Sequence, residues 1–354
     1  MATVVDVARR AGVSPMTVSR VIRGAGPVSD EMRSRVEQAI ADVGYVPNAL
    51  ARSLRMRRTD TIALLLSDMT NPFFTTVAHG VETAANAAGL ALLLANSTES
   101  EAEERRLIET LLQRRVDGIC FVPAGDGTAT IRQALEHNTP VVALDRRPKS
   151  RVADIVRSDS LGGARQLGEL VTSLGHRVTG IVSGPVGVST ADDRVRGFRN
   201  AIAACPGARP PRVFRGQFTV ESGREMARAA MALHPRPTAL FAANNFIAIG
   251  VLHALDELGI RVPEDVAVVG FDDLPPAMVI FPFLTVAAQP AFEMGERSVG
   301  LLVDRLAGRT RQAQEIVLPT ELVIRRSSGQ PIIPAEPAQA AVFRGRARAG
   351  GAGT

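Results

Sequence analysis

The chain has 354 residues, of which 45% are apolar and 22% charged, so it is long enough for about two or three domains and has the composition of a globular protein. No apolar run is long enough to cross a bilayer, and Asp6 and Arg9 interrupt the first segment, so we expect no membrane span, no signal peptide and a cytoplasmic location. The two cysteines, Cys120 and Cys205, are too few and too far apart for a disulfide or metal framework.

The positive charge is concentrated at the N-terminus. The formal net charge of the whole chain is +5, yet residues 1–58 alone hold ten arginines against five acidic residues. A basic head on a nearly neutral body indicates that the head binds a polyanion. A solvated basic surface without any partner would give the same count, so charge by itself does not decide between the two.

Two short helices joined by a tight turn are predicted near the N-terminus. Apolar residues recur with helical spacing from Val4 to Ala11, and Gly12 stands where a left-handed residue commonly ends a helix. Ser14 and Pro15 then form a favoured helix start, as capping residue and first helical residue. This arrangement predicts a helix-turn-helix, whose second helix could enter the major groove of DNA and present Arg20 to a base.

A third helix and a short basic segment follow. Ser29 is expected to cap a helix that ends at Gly44, and Asn48 to cap a short helix that reaches about residue 56. The three helices could form a DNA-binding headpiece or a helical cap without a DNA role, and the arginine surplus favours DNA. Leu54 could wedge into a minor-groove base step, or its segment could be a flexible basic linker.

From Thr61 onward, apolar strands alternate with helices. A second set of strands and helices begins with a helix near residues 160–174, and a helix at 290–307 and strands near 315–318 and 321–325 come last. Such alternation predicts parallel sheets that are covered by helices on both faces, and two successive sets predict two doubly wound subdomains. Ligands of open parallel sheets bind beyond the carboxyl ends of the strands, so the cleft between the subdomains is the candidate site.

These features together resemble the lactose-repressor (LacI/GalR) family of bacterial transcription regulators. The segments "TVVDVARRAGVSPMTVSRVI", "VSDEMRSRVEQAIADVGYVPN" and "ARSLR" carry the resemblance, since they occur in order and at the spacing of the family. It extends to about residue 329. The fold that it implies is an N-terminal all-α helix-turn-helix headpiece plus an α/β periplasmic-binding-protein-like core of two doubly wound parallel-sheet subdomains.

The resemblance also implies a division of the chain. The expected parts are a DNA-binding domain (1–46), a hinge helix or linker (47–59) and an effector-binding and dimerisation core (60–330). The remaining tail (331–354) has no leucine heptads, so its own sequence predicts that it is disordered. Within the core, subdomain 1 takes about residues 60–158 and 290–317, and subdomain 2 takes about residues 159–289 and 318–330.

DNA contacts are expected from the headpiece and the hinge. In the family, the two residues that open the recognition helix help to choose the operator, and here they are the apolar Pro15 and Met16, which cannot form bidentate hydrogen bonds with bases. The resemblance implies that Arg20 reads a base and that Leu54 wedges at the central step of a pseudo-palindrome. The full set of expected DNA contacts is Thr3, Ser14, Pro15, Met16, Thr17, Ser19, Arg20, Arg23, Asn48, Ala51, Arg52, Leu54 and Arg55.

Effector contacts are expected where polar residues follow the strands. The residues that match the family's cleft segments are Asn71, Phe73, Asp145, Arg146, Thr190, Arg194, Phe218, Asn245, Asp272 and Gln289. Arg194 facing Asp272 would suit a polyhydroxylated ligand. The chain has no Trp, and its single Tyr, Tyr45, lies in the head, so Phe218 is the candidate aromatic platform. A bland alternative stays open for Asn71, which could simply cap the next helix.

The sequence therefore predicts a repressor that binds a pseudo-palindromic operator in double-stranded DNA as a homodimer. Its DNA affinity would be controlled by a small polar effector, a sugar or sugar acid, with no cofactor, no metal, no catalytic residue and no membrane partner. One alternative is the sugar-binding receptor of a transport system, which would need an export signal. Another is an α/β enzyme, for which the sequence contains no P-loop, zinc-protease, nucleophile-elbow or Rossmann motif.

Overall fold

A computed structural model describes residues 2–22, 26–45, 58–149, 152–275, 282–309 and 312–329. Several predictions for the headpiece and hinge fall outside these ranges, namely those for Arg23, Asn48, Ala51, Arg52, Leu54 and Arg55. The predictions for the tail after residue 330 also fall outside them.

Three helices form the headpiece: α1 (Val4–Ala11), α2 (Pro15–Ile22) and α3 (Asp30–Val43). Thr3 begins α1, because its side chain accepts a hydrogen bond from the backbone amide of Asp6, and Gly12 ends it with a φ of 65°. The helices pack around a buried core of Val7, Ala8, Ala11, Val18, Val21, Val36 and Ala39. Arg10 and Asp42 join α1 to α3 at the surface, with 2.7 Å between Nη2 and Oδ2.

Strands and helices alternate through the rest of the described chain. The strands are β1 (Thr61–Leu66), β2 (Ala91–Asn96), β3 (Gly118–Phe121), β4 (Val141–Leu144), β5 (Asp154–Ser158), β6 (Thr179–Ser183), β7 (Arg212–Arg215), β8 (Ala239–Ala242), β9 (Ala267–Phe271), β10 (Thr285–Ala288), β11 (Glu315–Leu318) and β12 (Glu321–Val323). The helices are α4 (Pro72–Ala87), α5 (Glu101–Gln113), α6 (Thr128–Glu136), α7 (Ser160–Ser173), α8 (Ser189–Ala203), α9 (Val220–Met231), α10 (Asn245–Glu257) and α11 (Ala291–Leu306).

The strands form two sheets. The first has the order β11-β5-β4-β3-β1-β2 and is parallel throughout, and the second has the order β12-β10-β9-β8-β6-β7, with only β12 antiparallel to its neighbour. Helices α4 and α11 cover one face of the first sheet, and α5 and α6 cover the other. Helices α7 and α8 cover one face of the second sheet, and α9 and α10 cover the other. The fold class predicted from the sequence is confirmed.

Each sheet with its covering helices is called a subdomain below, subdomain 1 for the first sheet and subdomain 2 for the second. The chain passes between them after β5, after β10 and after β11. No helix of the described residues is long and apolar enough to cross a membrane.

The sequence pattern does not reveal β5 or β10, which are the strands that lead into two of these crossings. In β5 two charged residues interrupt the apolar pattern, and both are paired in the fold. Asp154 is fully buried against Arg305, with 2.6 Å between its Oδ2 and Nε of the arginine, and Arg157 pairs with Glu315. Strand β10 follows a Pro-rich apolar stretch that hides its start. The helix expected from residue 192 begins earlier, at Ser189, and the last strand ends at Val323 rather than at residue 325.

Helices α4 and α11 pack backbone against backbone over subdomain 1. A Cβ atom added at Gly295 would lie 2.3 Å from the carbonyl oxygen of Val77, and one added at Gly80 would lie 2.1 Å from that of Phe292. Both contacts are with backbone atoms, which cannot move aside as a flexible side chain can. The two glycines therefore fix how closely the helices approach.

Substitution of Gly295 by Ala should destabilise the protein by about 1–3 kcal/mol, because the added methyl group forces the two helices apart. Gly300 lies in the same helix, and a Cβ added there meets nothing within 4 Å. Gly300→Ala is therefore the matched control, and it should stabilise by about 0.5–1 kcal/mol through helix propensity. Urea unfolding followed by circular dichroism measures both changes, and equal effects of the two substitutions would contradict the close packing.

Candidate functional site

Helix α2 turns one face to solvent and the other to the headpiece core. Pro15, Met16 and Arg20 are exposed, and Met16 keeps 67% of its surface accessible, whereas Val18 and Val21 are buried. A face of this kind is free to contact DNA.

The other expected DNA contacts that the structure describes either cap a helix or are half-buried. Ser14 caps α2, since its Oγ accepts from the backbone amide of Thr17 at 3.1 Å, and Thr3 caps α1. Thr17 and Ser19 are half-buried. Caps of this type occur in structural helices as well, so their positions do not by themselves separate a DNA role from a folding role.

A narrow cleft with a cavity volume of about 30 Å³ lies between the two subdomains. The residues that line it are Asp68, Asn71, Phe73, Phe74, Glu99, Asp145, Arg146, Thr190, Arg194, Phe218, Asn244, Asp272 and Gln289. The fold thus brings together every residue that the sequence assigns to the effector site except Asn245, whose side chain instead contacts a residue of the lining.

Asn71 and Asn245 bridge the two subdomains. Each donates from its Nδ2 to the other's Oδ1, at 3.0 Å and 2.8 Å, and both side chains are buried. Oδ1 of Asn71 also accepts from the backbone amide of Phe73 at 3.0 Å, so this residue caps α4 as well. Asn71 therefore both caps α4 and lines the cleft.

Arg194 is buried at the base of the cleft. Its Nη1 donates to the carbonyl oxygen of Ala243 at 2.7 Å and lies 3.6 Å from Oδ2 of Asp272. Its guanidinium carbon lies 3.9 Å from the centre of the Phe271 ring, which fixes the plane of the group by a cation–π contact.

The carboxylate of Asp272 is tied to the crossings between the subdomains. It accepts a hydrogen bond from Nε2 of Gln289, whose Oε1 accepts in turn from the hydroxyl of Ser158. Ser158 ends β5 and Gln289 follows β10, so a ligand that displaced any member of this chain would act on two of the segments that connect the subdomains.

Two buried side-chain atoms of the cleft, Oδ1 of Asp145 and Nε of Arg146, have no hydrogen-bond partner among the described residues. Burial raises the pKa of Asp145 to about 6, although Arg194 and Arg146 act in the opposite direction. Burial also raises the pKa of Asp272. Both aspartates have positive φ, 62° and 69°, a conformation uncommon outside glycine that is often found at functional sites.

Arg146 contributes to the wall on the side of subdomain 1. Its two terminal nitrogens donate to the two carboxylate oxygens of Glu99, each at 2.6 Å, and one of them also donates to the carbonyl oxygen of Pro123 at 3.0 Å. Its guanidinium lies 5.6 Å from the centre of the Phe218 ring, which comes from subdomain 2. Phe218 thus stands at the cleft as the sequence suggests.

The charges of the cleft do not cancel. Glu99 balances Arg146 and Asp272 balances Arg194, which leaves Asp68 and Asp145 as excess negative charge among the lining residues. A molecule rich in hydroxyl groups fits such a surface, because it can donate to the carboxylates and accept from the amides and guanidinium groups. Among the described residues, no group of three or more His, Cys, Asp or Glu side chains could hold a metal ion.

Sequence reasoning misses four of the lining residues: Asp68, Phe74, Glu99 and Asn244. Asp68 lies in the polar segment after β1 and Phe74 in the first turn of α4, where a strand end predicts a site but not which residues face inward. Glu99 lies between β2 and the charged helix α5, and no local pattern distinguishes it from the neighbouring glutamates. Asn244 caps α10 by accepting from the amide of Ile247 at 2.9 Å.

Comparison with known proteins matches both parts of the chain. Residues 3–48 match the family model for bacterial regulatory proteins of the lacI family, and residues 169–328 match the model for the periplasmic binding protein-like domain.

Similar proteins match over almost the whole length. The ribose operon repressor of Escherichia coli (strain K12) is 35% identical over 332 residues, which cover 93% of this chain and 100% of that protein. The HTH-type transcriptional repressor PurR of Edwardsiella ictaluri (strain 93-146) is 34% identical over 331 residues, 92% of this chain and 97% of the relative. Among solved structures, the lac repressor dimer bound to operator and the anti-inducer ONPF superposes with a TM-score of 0.81 at 28% identity, and the match covers 92% of this chain and 99% of the other.

Asp145→Asn should change how stability depends on pH. In the wild type the folded protein keeps the Asp145 proton up to about pH 6, whereas an unfolded chain releases it near the ordinary value of 3.8. Since the folded state then binds more protons, the free energy of unfolding contributed by this group falls as pH rises through that window. The difference in melting temperature, variant minus wild type, should therefore increase from pH 4 to 6 and stay constant above about pH 6.

Asp126→Asn provides a control of opposite sign. A hydrogen bond from the backbone of Thr128 lowers the pKa of Asp126, which is exposed, so this substitution should remove stability that is present above the ordinary pKa and lost below it. A difference between Asp145→Asn and wild type that stays constant from pH 4 to 6 would contradict the raised pKa of Asp145.

Proposed function

Because the chain belongs to the lacI family of bacterial regulatory proteins, we propose that it is a transcriptional repressor whose affinity for operator DNA is controlled by a small polar effector in the cleft. The observation that carries this proposal is the presence, in one chain, of a helix-turn-helix with an exposed recognition face and of a buried, polar cleft between two subdomains. The first part can read DNA, and the second can respond to a ligand.

The DNA-bound form is a homodimer in this proposal. The lac repressor structure that resembles the chain is a dimer bound to operator. Two copies of α2 would lie in successive major grooves about one helical turn apart, so the operator is a pseudo-palindrome. Dimerisation is compatible with the edge of the first sheet, where β2 exposes 48% of the Leu94 surface.

The assignment of regions follows the sheets. Residues 1–46 read DNA, residues 47–59 connect the head to the core, and residues 60–330 bind effector and pair the two chains. We propose that the chain passes between the subdomains near residues 158, 289 and 318. The positions of β5 and β11 in the first sheet and of β10 and β12 in the second support these three crossings. We propose that the protein acts in the cytoplasm, where operator DNA would be found.

An uncharged sugar is the effector class that the cleft favours. Arg146 and Arg194 are each already balanced by a carboxylate, and two buried atoms lack a partner, Oδ1 of Asp145, which needs a donor, and Nε of Arg146, which needs an acceptor. Hydroxyl groups can donate to the first and accept from the second, whereas an ionised carboxylate or phosphate can only accept. A sugar acid is the second candidate, and it would have to bring its negative charge next to Asp68 and Asp145. One relative is named as the repressor of a ribose operon, which supports the sugar class.

The alternatives are less well supported. A transport receptor would share the periplasmic binding protein-like domain but has no use for the lacI-type headpiece that matches residues 3–48. We also propose that the protein is not an enzyme, because its relatives over the whole chain are named as repressors.

Selection of bound sequences from a random DNA pool tests the DNA-binding proposal. The full-length protein should select a pseudo-palindrome, and Arg20→Ala should relax the choice at one base of each half-site at a cost of about 1–3 kcal/mol. Arg35→Ala is the matched control, because it removes the same charge from an exposed position on α3 and should weaken binding to all sequences alike. Unchanged base preferences in Arg20→Ala would contradict the assigned reading helix.

A charge-matched ligand panel tests the effector class. We expect a neutral sugar such as ribose to change the DNA affinity, and its acid and its phosphate, ribonate and ribose 5-phosphate, to bind at least about tenfold more weakly because of the uncompensated carboxylates. The same comparison is made for other pentoses and hexoses by fluorescence anisotropy of the operator complex. Arg194→Ala should abolish the response without loss of DNA binding, whereas Arg199→Ala, exposed on the same helix, should retain it. Tighter binding of the acids would contradict the assignment.

A further inference from the structure

A contact outside the lining of the cleft joins the two subdomains. Arg147 lies in the loop after β4 of subdomain 1, and Ser189 and Asp193 lie in the first turns of α8 of subdomain 2. The backbone amide of Arg147 donates to Oγ of Ser189 at 2.8 Å, and its Nη2 lies 2.9 Å from Oδ2 and 3.0 Å from Oδ1 of Asp193. The three residues are called the latch below.

The two halves of the latch differ in how firmly they are held. The Asp193 side chain is only 6% exposed and also binds Arg196, one turn along the same helix, at 2.6 Å. The Arg147 side chain is 35% exposed. Asp193 is therefore fixed within subdomain 2, and Arg147 is the partner that can separate from it when the subdomains move apart.

The ion pair of the latch spans the subdomains, unlike those of the cleft. Arg146 and Glu99 both belong to subdomain 1, and Arg194 and Asp272 both belong to subdomain 2. Those pairs can survive opening, whereas the Arg147–Asp193 pair cannot. Its formation is thus coupled to closure of the cleft.

The latch lies directly beside the effector-facing residues on both sides. Arg147 follows Asp145 and Arg146 in the chain, and Asp193 immediately precedes Arg194. All groups of the latch are protein atoms, so it can form whether or not a ligand is bound. It can therefore bias the same motion that a ligand would drive.

We propose that Arg147, Ser189 and Asp193 latch the cleft in its closed form independently of any effector and so set the balance between open and closed protein. A ligand that binds only the closed form has an apparent affinity reduced by the fraction of molecules that are not closed. The strength of the latch then decides how much effector the protein needs. This role concerns the motion of the core and does not depend on the proposed DNA-binding function.

Distances between spin labels at the mouth of the cleft test the proposal without DNA or effector. Asp126→Cys and Val186→Cys place labels on opposite subdomains at exposed positions that line the mouth. Cys205 is changed to Ser, while Cys120 can stay, because it is fully buried and burial raises its pKa to about 12, which keeps its thiol unreactive. Pulsed electron paramagnetic resonance on the full-length protein then gives the open and closed populations.

Arg147→Ala should raise the ratio of open to closed molecules by about tenfold, the change expected for the loss of one hydrogen bond between charged groups. Arg147→Lys should open the cleft less, and Arg147→Glu more, because Glu repels Asp193. Arg196→Ala is the matched control, since it removes the other arginine bound to Asp193 without touching the contact between subdomains, and its distances should equal those of the wild type.

A salt titration of the labelled wild type and of Arg147→Ala provides a second test. The pair is partly exposed, so raising NaCl should open the wild type and leave Arg147→Ala unaffected. Wild-type distances in both Arg147→Ala and Arg147→Glu would overturn the proposal. So would opening by Arg196→Ala as large as that by Arg147→Ala, or a wild type whose distances do not respond to salt.

Discussion

Two separate sheets bring buried charges together across a cleft, and the rest of the structure depends on how those charges are satisfied. Removing a charge from water is costly unless a partner and further hydrogen bonds replace the solvent. Arg194 meets this requirement through Asp272, the carbonyl oxygen of Ala243 and the ring of Phe271. The terminal nitrogens of Arg146 meet it through both oxygens of Glu99 and the carbonyl oxygen of Pro123.

Two buried atoms of the cleft, Nε of Arg146 and Oδ1 of Asp145, have no hydrogen-bond partner among the described residues, and they point to a ligand. Burial also raises the pKa of Asp145 to about 6. A donor that enters the cleft would satisfy this group, and the same cleft is lined by Gln289, which hydrogen-bonds Ser158 at the crossings between the subdomains. A ligand bound there would therefore act on the hydrogen bonds that connect the subdomains.

Much of this architecture could be predicted from the sequence, for identifiable reasons. Local signals mark the headpiece, because caps and terminating residues such as Ser29 and Gly44 act within one turn. The strand-end rule places Asp145 and Asp272 at the cleft, because parallel strands end at a common edge, whereas Arg194 lies in α8 and is assigned by the resemblance to the family. The pairing of Glu99 with Arg146 could not be predicted, since 47 residues separate them and only the fold brings them together.

The strands that lead into the crossings could not be predicted for the same reason. Strand β5 is interrupted by Asp154 and Arg157, and their partners Arg305 and Glu315 lie at the far end of the chain, so no local pattern identifies the strand. Nothing in the sequence distinguishes Arg147 and Asp193 from ordinary surface residues, and they pair only because the fold brings the two subdomains together. Periodicity in the sequence predicts helices and strands, but it does not show which distant charged residues pair in the fold.

Calorimetric titration of a neutral sugar effector into the full-length protein, with and without bound operator, measures the reciprocal coupling between the headpiece and the cleft. Thermodynamic linkage requires that operator change the affinity for the sugar by the same factor as the sugar changes the affinity for operator. We predict one common factor that differs from unity. Identical sugar affinities for the free and the operator-bound protein would contradict the account.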